Sequence, residues 1–190
     1  MMEKREEILE KIRKISKSKK PCVVAIDGRC GAGKTTLATY LQGKLGCDTI
    51  HMDDFFLQSY QRTEKRLAEA GGNIDYERFL EEVLKPLQKG EPFSYQVYDC
   101  QTQKLGARIM IKPQEVVIIE GSYACHPYFR EYYDYRIFLD IDSNEQYARI
   151  VKRNGKERAI IFKETWIPLE ESYFSLCRVS KSCDDIYEIT

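Results

Sequence analysis

The residues with the clearest chemical meaning form a single run, Gly28-Arg29-Cys30-Gly31-Ala32-Gly33-Lys34-Thr35. It fits G-x-x-x-x-G-K-[ST], a pattern whose glycines let successive backbone N–H groups converge on phosphate oxygens. Lys34 can reach the outer phosphates of a nucleotide, and the Thr35 hydroxyl can ligate Mg²⁺. A glycine turn with a solvent-exposed lysine is the plainer alternative. The run predicts a triphosphate site bordered by Gly28, Gly31, Ala32, Gly33, Lys34, Thr35 and Thr36.

Two acidic positions follow apolar runs and are candidates for the remaining chemistry. Glu120 follows Val116–Ile119, and a carboxylate that ends a strand beside a phosphate loop commonly holds Mg²⁺. Asp53 and Asp54 follow Thr49–Met52, and phosphorylation of an alcohol needs a carboxylate that orients the hydroxyl and takes its proton. Because adjacent carboxylates repel each other, we expect one to face the site and the other, Asp54, to cap the next turn. A surface acid at Glu120 and a helix-capping Asp pair remain the alternatives.

The elements that must position these residues alternate along the chain. Five short apolar runs lack the alternation of a half-exposed strand and therefore predict strands buried on both faces, as in a parallel sheet covered by helices. They are Cys22–Ile26, Thr49–Met52, Val116–Ile119, Arg136–Ile141 and Ile186–Ile189. Helical spacing of apolar residues fills the intervals at 37–45, 79–87, 147–151 and 169–177. Strands that alternate with helices predict an α/β fold.

Two local signals modify this pattern. Pro86 lies inside the second helical segment and should kink or end it, since proline lacks a backbone N–H. In Pro92–Ile111, Phe93, Tyr95 and Val97 and later Ile109 and Ile111 alternate with polar residues, which predicts a β-hairpin inserted into the α/β pattern.

Composition narrows the function classes. The chain has 30 basic and 30 acidic side chains, and a net charge of zero argues against a general nucleic-acid binder. Its longest apolar run, Cys22–Ile26, is too short to span a membrane. Seven cysteines without a C-x-x-C pair, and no segment that resembles a secretory signal, predict reduced thiols in a cytoplasmic protein. We therefore expect small-molecule partners, with no nucleic acid and no membrane, and leave a homo-oligomer open.

The basic charge is concentrated at one end. Residues 1–20 hold eight basic and four acidic side chains, and Ile8, Leu9, Ile12 and Ile15 recur in them at helical spacing. We interpret this segment as a charged amphipathic helix packed on a single domain of residues 21–190; a helix for a membrane surface or a partner is the alternative.

The order of the motifs resembles a known family. The phosphate loop, Asp53-Asp54-Phe55-Phe56, Tyr98-Asp99 and the Ile-Ile-Glu-Gly strand at 118–121 are similar to the uridine kinase and phosphoribulokinase group of P-loop kinases, which includes nicotinamide riboside kinase and pantothenate kinase. The similarity spans about residues 21–190. It implies a three-layer sandwich with a five-stranded parallel sheet in the order 2-3-1-4-5 and a mobile lid over ATP. It also implies ATP and Mg²⁺ as cofactors.

The resemblance implies a role for several residues. Asp53 matches the catalytic carboxylate, Lys34 and Thr35 match the phosphate and Mg²⁺ residues, and Glu120 matches the second acid near Mg²⁺. Asp75 falls near the acid that holds ribose hydroxyls in uridine kinases, and Tyr98 matches a tyrosine of their base pocket. The lid pattern R-x-x-x-R-D appears as Arg149, Arg153 and Asn154, two arginines on one helix face that would close over the phosphates unless they are ordinary solvated side chains.

The departures from the family pattern concern the acceptor. Uridine kinases usually present a phenylalanine after Tyr-Asp and a histidine three residues later, where this chain has Cys100 and Gln103. Glutamine can still hydrogen-bond a base edge, since it has both a donor and an acceptor. Arg62 and Arg66 form a further cationic pair at i, i+4 spacing that would suit an anionic acceptor, or is solvated surface charge.

These observations predict an ATP- and Mg²⁺-dependent kinase that phosphorylates a primary hydroxyl and is most like uridine kinase. The expected catalytic residues are Asp53, Lys34, Arg149 and Arg153. The expected acceptor residues are Asp75, Tyr98, Gln103 and Arg62, and the expected metal ligands are Thr35 and Glu120. The alternatives are a kinase for another riboside or for a phosphorylated or carboxylated acceptor, and a nucleotide-binding regulator without turnover.

Overall fold

A computed structural model describes residues 2–189, and its centre is a parallel sheet. The strands of this part of the chain are β1 (Cys22–Gly28), β2 (Asp48–His51), β3 (Phe93–Asp99), β4 (Lys104–Ile111), β5 (Val116–Glu120), β6 (Tyr135–Ile141) and β7 (Asp185–Ile189). Five of them form the parallel sheet in the order β2-β5-β1-β6-β7, and β3 and β4 form an antiparallel hairpin. The strand numbers differ from the expected 2-3-1-4-5 because the hairpin strands take two places in the count; without them the order agrees.

Helices connect and cover these strands. They are α1 (Met2–Ser16), α2 (Lys34–Leu45), α3 (Glu64–Leu67), α4 (Tyr76–Phe79), α5 (Lys85–Lys89), α6 (Ser143–Asn154), α7 (Lys156–Ile161), α8 (Ile167–Leu176) and α9 (Val179–Ser182). Short 3₁₀ turns occupy Met52–Phe55, Ser59–Gln61 and Pro127–Tyr132, and π turns occupy Leu80–Leu84 and Phe162–Trp166. The helix predicted at 37–45 ends before Gly46, which caps it with a positive φ of 63°.

The sheet separates two hydrophobic clusters because alternate side chains of a strand point to opposite faces. On β1, Cys22, Val24 and Ile26 pack into a cluster with residues of α1 and α2, whereas Val23 and Ala25 pack into a cluster with residues of α4, α5 and α8. Helices thus cover both faces of a fully buried strand, and the three-layer α/β architecture that the sequence predicted is confirmed.

Both π turns lie just before a proline. Leu80–Leu84 precedes Pro86, and Phe162–Trp166 precedes Pro168. A proline in a helix removes one N–H and crowds the carbonyl four residues earlier, and a wider turn at that place relieves both problems. Pro86 therefore does not end its helix, which corrects one of the two outcomes expected for this proline. The helical segment continues from α4 through the π turn to the end of α5.

The hairpin contains a register shift between Gln96 and Tyr98. The sequence pattern places Val97 with the buried residues Phe93 and Tyr95, but Tyr98 is buried in its place. A bulge adds one residue to a strand and so reverses which side chains face inward after it. The bulge turns Tyr98 toward the body of the protein.

The N-terminal helix contributes to the core. Ile8, Leu9 and Ile12 of α1 are almost fully buried, and the helix contacts α2 and β1. The division into residues 1–20 and 21–190 stays a prediction. Within residues 2–189, no helix combines the length and the apolar character needed to cross a membrane.

We expect Ile12→Ala to lower the free energy of unfolding by about 2–5 kcal/mol, because it leaves a cavity beneath α1 at a fully buried position. Lys14→Ala on the exposed face of the same helix is the control and should change stability little. Denaturant titration of both variants measures the difference. An Ile12→Ala variant as stable as Lys14→Ala would mean that α1 does not hold the domain together.

Candidate active site

The site lies where three neighbouring parallel strands end. His51 and Ile26 are both register partners of Glu120, so β1, β2 and β5 reach the same edge of the sheet together. Ligands of open α/β sheets bind beyond the carboxyl ends of the strands. The loop after β1, the turn after β2 and the segment after β5 therefore meet at one place.

The phosphate loop follows β1 and leads into α2. Gly28 has a φ of 138°, and a Cβ atom at this position would lie 2.1 Å from the Leu139 carbonyl oxygen, so only glycine fits against β6. Gly33 has a φ of 95° and precedes the first residue of α2, Lys34. The Lys34 Nζ donates to the carbonyl oxygens of Gly28, at 2.5 Å, and of Arg29, at 3.1 Å. Two backbone carbonyls of the loop thus hold the lysine in place.

Thr35 and Glu120 meet across this loop. The Thr35 hydroxyl lies 3.2 Å from Glu120 Oε1, and the same carboxylate oxygen lies 2.6 Å from His51 Nδ1. The hydrogen bond to Glu120 raises the pKa of His51 above its ordinary value. Sequence reasoning missed this histidine, although it ends the strand beside β5.

This oxygen pair suits a magnesium ion. Residues 2–189 contain no group of three or more His, Cys, Asp and Glu side chains that could hold a metal by themselves. Mg²⁺ keeps several waters and is usually bound by one or two protein oxygens together with substrate phosphates. Thr35 and Glu120 offer two hard oxygen donors beside the phosphate loop, so they fit Mg²⁺ and would hold it together with phosphate oxygens.

A cavity of about 610 Å³ unites most of the predicted site residues. Its lining includes, from the predicted sets, Gly31, Gly33, Lys34, Thr35, Thr36, Asp53, Arg62, Tyr98, Gln103, Glu120, Arg149 and Arg153. Three predicted residues do not line it: Gly28 and Ala32, which pack against the core side of the loop, and Asp75. The volume lies within the range of roughly 300–1,000 Å³ that is typical of small-molecule sites.

The two adjacent acids diverge. Asp53 opens into the cavity, and the surrounding protein together with the charge of Glu120 raises its pKa. Asp54 accepts a hydrogen bond from the Tyr95 hydroxyl at 3.0 Å, and its backbone carbonyl accepts one from Arg78. Asp54 therefore anchors the hairpin rather than capping a turn, which corrects the expectation for it.

Asp75 and Arg66 are engaged away from the cavity. Asp75 is buried, and its two carboxylate oxygens accept hydrogen bonds from the Arg78 backbone N–H, at 3.0 Å, and from Gln61 Nε2, at 2.8 Å. It caps α4, and contact with ribose hydroxyls stays a prediction that would require these bonds to be exchanged. Arg66 pairs with Glu77 and donates to backbone carbonyls, so the structure does not form the cationic pair expected of Arg62 and Arg66.

One end of the cavity has the character of an acceptor pocket. The rings of Phe56 and Tyr98 meet edge to face at 6.4 Å, and Gln103 Oε1 accepts a hydrogen bond from Ser59 at 3.1 Å. The side chain of Arg62 makes no ion pair within residues 2–189. Asn73 is also here, and its buried Nδ2 has no hydrogen-bond partner in this part of the chain. Aromatic faces and unpaired polar groups thus share the space next to Asp53.

Comparison with known proteins identifies the family of this chain. A model of the phosphoribulokinase/uridine kinase family matches residues 23–163. The chain belongs to this family. Uridine kinase of Geobacillus kaustophilus (strain HTA426) is 28% identical over 169 residues, which cover 84% of this chain and 78% of that relative. Uridine kinase of Ureaplasma parvum serovar 3 (strain ATCC 27815) is 27% identical over 150 residues, or 74% of this chain and 72% of that relative.

The fold is shared with solved structures. A structure described as that of a possible uridine kinase from Bacillus stearothermophilus superposes with a TM-score of 0.67 at 20% identity, and covers 95% of this chain and 99% of the other. At this identity the similarity concerns the fold.

The segment from α6 to α8 forms the opposite wall of the cavity in this family member. Arg149 and Arg153 line it from α6; Arg149 pairs with Glu145, and Arg153 donates to the Asn154 side chain. Phe162 and Trp166, at the two ends of the π turn, line it further on. The two arginines lie at the cavity as predicted, and their role in phosphate transfer stays a prediction.

Sequence reasoning missed the polar groups that reach the phosphate loop from elsewhere in the fold. Ser122 lies two residues beyond Glu120, and Glu170 belongs to α8. Both line the cavity, and both are linked to the loop by hydrogen bonds. Proximity to a strand end could have indicated Ser122, but no spacing in the sequence connects Glu170 to the loop.

Asp27 ties the phosphate loop to two other segments of this kinase-family fold. It is fully buried, and its carboxylate accepts hydrogen bonds from the backbone N–H groups of Gly28, at 2.7 Å, and Cys125, at 2.8 Å, and from the Tyr173 hydroxyl, at 2.8 Å. Burial raises the pKa of Asp27 to about 6. Its ionised form therefore depends on these donors.

The Tyr173 hydroxyl should stabilise the fold mainly where Asp27 is ionised. The pKa of Asp27 is raised in the folded protein. Asp27 therefore contributes fully to stability at low pH, and this contribution is lost as the pH rises through about 6. Donation by Tyr173 limits this loss. We expect Tyr173→Phe to cost about 1.5–3 kcal/mol of unfolding free energy near pH 8, and less near pH 5.

Tyr133→Phe is the matched control, because the Tyr133 hydroxyl donates to the neutral Ala124 carbonyl at 2.8 Å. Its cost should not change between the two pH values. Denaturant titrations of both variants at each pH measure the effect, and equal pH dependence in the two would contradict the role given to Asp27.

Proposed function

We propose that this protein transfers the γ-phosphoryl group of ATP to a primary hydroxyl of a small molecule, with a nucleoside such as uridine or cytidine as the leading acceptor. One observation carries the proposal: Lys34, the Thr35–Glu120 pair and Asp53 border a single cavity. Membership of the phosphoribulokinase/uridine kinase family supports a kinase. The curated relatives named uridine kinase support a nucleoside as the acceptor.

The phosphate loop would bind the triphosphate. Lys34 exchanges the carbonyl oxygens of Gly28 and Arg29 for phosphate oxygens, which are stronger, charged acceptors. The N-terminus of α2 adds positive potential at the same place. Mg²⁺, held by Thr35 and Glu120, supplies neutralisation of the phosphate charge when it is bound.

Asp53 would orient the acceptor hydroxyl. Its raised pKa makes its carboxylate a stronger base than an ordinary aspartate, and its position in the cavity leaves it open to a substrate. As the acceptor oxygen bonds to the γ-phosphorus and the bond to the leaving ADP breaks, the hydroxyl proton passes to Asp53. Arg149 and Arg153 face the same cavity and would stabilise the charge that develops on the transferred group.

The acceptor end of the cavity suits a nucleoside. Phe56 and Tyr98 supply aromatic faces for a base, and Gln103 can pair with a base edge. Uridine kinases usually have a phenylalanine at the position of Cys100. Phe56, in the segment that follows Asp53, would provide part of that missing aromatic surface. Ribose hydroxyls would then lie between the aromatic residues and Asp53.

We expect Asp53→Asn to retain the affinity for MgATP and to lower kcat by about 10²–10⁴-fold, because the amide cannot accept the hydroxyl proton. Acceptor-dependent ADP release is the measurement, made across uridine, cytidine, other ribosides and pantothenate. Asp54→Asn, the same change one residue later, is the control and should retain most turnover, since Asp54 contacts Tyr95. Wild-type turnover in Asp53→Asn would remove Asp53 from the mechanism.

The same acceptor panel tests the nucleotide-binding regulator. A regulator binds ATP and releases no acceptor-dependent ADP with any compound. The carboxylates of Asp53 and Glu120 argue against it, since a protein that only binds the nucleotide has no need of a base beside it.

A phosphorylated or carboxylated acceptor is the second candidate, and Arg62 favours it. Its guanidinium lines the cavity without an ion pair in the described part of the chain. Burial raises the pKa of the nearby Cys100 thiol; the negative charge of Asp53 adds to this effect and the positive charge of Arg62 opposes it, so both charges lie close to that sulfur. An acceptor with its anion at Arg62 could place a hydroxyl at Asp53.

For an anionic acceptor, we expect Arg62→Gln to raise KM by about tenfold or more, because one charged hydrogen bond contributes about 1.5–3 kcal/mol. For a neutral nucleoside the variant should change KM little. Arg108→Gln, an exposed arginine of β4, is the matched control. Steady-state assays with uridine and with hydroxylated carboxylates and sugar phosphates distinguish the two candidates, and an unchanged KM for every anion would exclude the second.

A further inference from the structure

Glu170 places a buried carboxylate inside the phosphate site. Its residue is only 4% exposed, and its Oε2 accepts a hydrogen bond from the backbone N–H of Cys30 in the phosphate loop at 3.0 Å. Its Oε1 accepts a hydrogen bond from the Ser122 hydroxyl. That hydroxyl oxygen in turn accepts a hydrogen bond from Lys34 Nζ at 3.3 Å. A side chain of α8 thus reaches both the loop backbone and the loop lysine.

These partners are those of an anion site. Loop N–H groups and a lysine at the start of a helix are what bind phosphate oxygens in such a loop. A buried carboxylate is stable only where donors satisfy it, and here the loop provides one donor and Ser122 provides the other. Glu170 therefore lies at a place that has the chemistry to receive a phosphate oxygen.

We propose that Glu170 is a positioning residue that holds the phosphate loop through the Cys30 N–H and gives up this contact when a triphosphate binds. The proposal rests on the proposed function in one respect only, namely that the loop binds a nucleoside triphosphate. Carboxylate and phosphate oxygens compete for the Cys30 N–H and repel each other, so the carboxylate must withdraw. Because Glu170 is buried and belongs to α8, we expect its withdrawal to shift the start of this helix, which follows Arg149 and Arg153 in the chain.

The attachment of α8 indicates which part moves. Tyr173, three residues after Glu170 and on the same face, is fixed to the buried Asp27. The π turn Phe162–Trp166 lies on the other side of Glu170 and joins α8 to α7. The start of α8 can therefore shift against an anchored later turn. Trp166 lies in the moving part, lines the cavity, and is the chain's single tryptophan.

Glu170→Gln tests the competition. The amide keeps the shape of the side chain and an oxygen for the Cys30 N–H, but it removes the negative charge. We expect the Kd for MgATP to fall by about tenfold or more, since a like-charge contact costs several kcal/mol and about 1.4 kcal/mol is a factor of ten. Isothermal titration calorimetry measures it. Glu164→Gln, an exposed glutamate of the π turn, is the control for net charge and should keep the wild-type Kd.

A second measurement uses the wild-type protein, so that it does not depend on the folding of a variant. Inorganic tripolyphosphate with Mg²⁺ has no base that could contact the indole. We expect it to change the fluorescence of Trp166 in a saturable way as α8 shifts, with half-saturation at an about tenfold lower concentration in Glu170→Gln. A merely structural glutamate would lower stability on substitution and would not tighten phosphate binding.

The outcomes separate this inference from the proposed function. A wild-type protein that binds no nucleoside triphosphate would overturn both. A wild-type protein that binds MgATP, together with equal or weaker binding in Glu170→Gln than in Glu164→Gln, would overturn only the role of Glu170. Tighter binding in Glu170→Gln alone, with the tripolyphosphate-dependent change at Trp166, would support it.

Discussion

The site depends on one buried charge, the carboxylate of Asp27 at the end of β1. A buried carboxylate is costly unless donors surround it, and here they come from the phosphate loop, from Cys125 after β5 and from Tyr173 on α8. Three segments that are distant in the sequence are thereby joined beside the first glycine of the loop. The loop can present its N–H groups to a ligand because its base is fixed to two other segments of the fold.

The charges that line the cavity show why a net charge of zero does not argue against triphosphate binding. Its lining carries four basic and three acidic side chains, namely Lys34, Arg62, Arg149, Arg153, Asp53, Glu120 and Glu170. Several of these charges meet local partners, as Glu170 does at the loop. A polyanion changes those partners without requiring a basic protein. An overall charge of zero is therefore compatible with triphosphate binding, since only the arrangement within the cavity matters.

The parts of the site that are local in the sequence were predictable, and those that depend on tertiary contact were not. Strand ends and the phosphate loop follow from short patterns, which is why Lys34 and Glu120 lie at the cavity as expected. The sequence pattern does not show the partners of Asp75, because a carboxylate binds whichever donors the fold brings within reach, and Gln61 reaches this one. Glu170 is the opposite case. No sequence signal singles it out and it is buried, whereas Leu176, in the helical segment predicted at 169–177, is 71% exposed.

The orientation of α8 links these cases to one residue, Pro168. A proline near the start of a helix crowds the carbonyl four residues earlier, and the widened turn that accommodates it rotates the following helix relative to the preceding one. In this chain the rotated helix directs Glu170 and Tyr173 toward the phosphate loop and leaves Leu176 in solvent. Two polar contacts, with the loop and with Asp27, add to the apolar packing of Tyr173 and Phe174 that holds α8 against the sheet. The helix that an apolar pattern assigns to the core is thus attached to the phosphate loop through its polar groups as well.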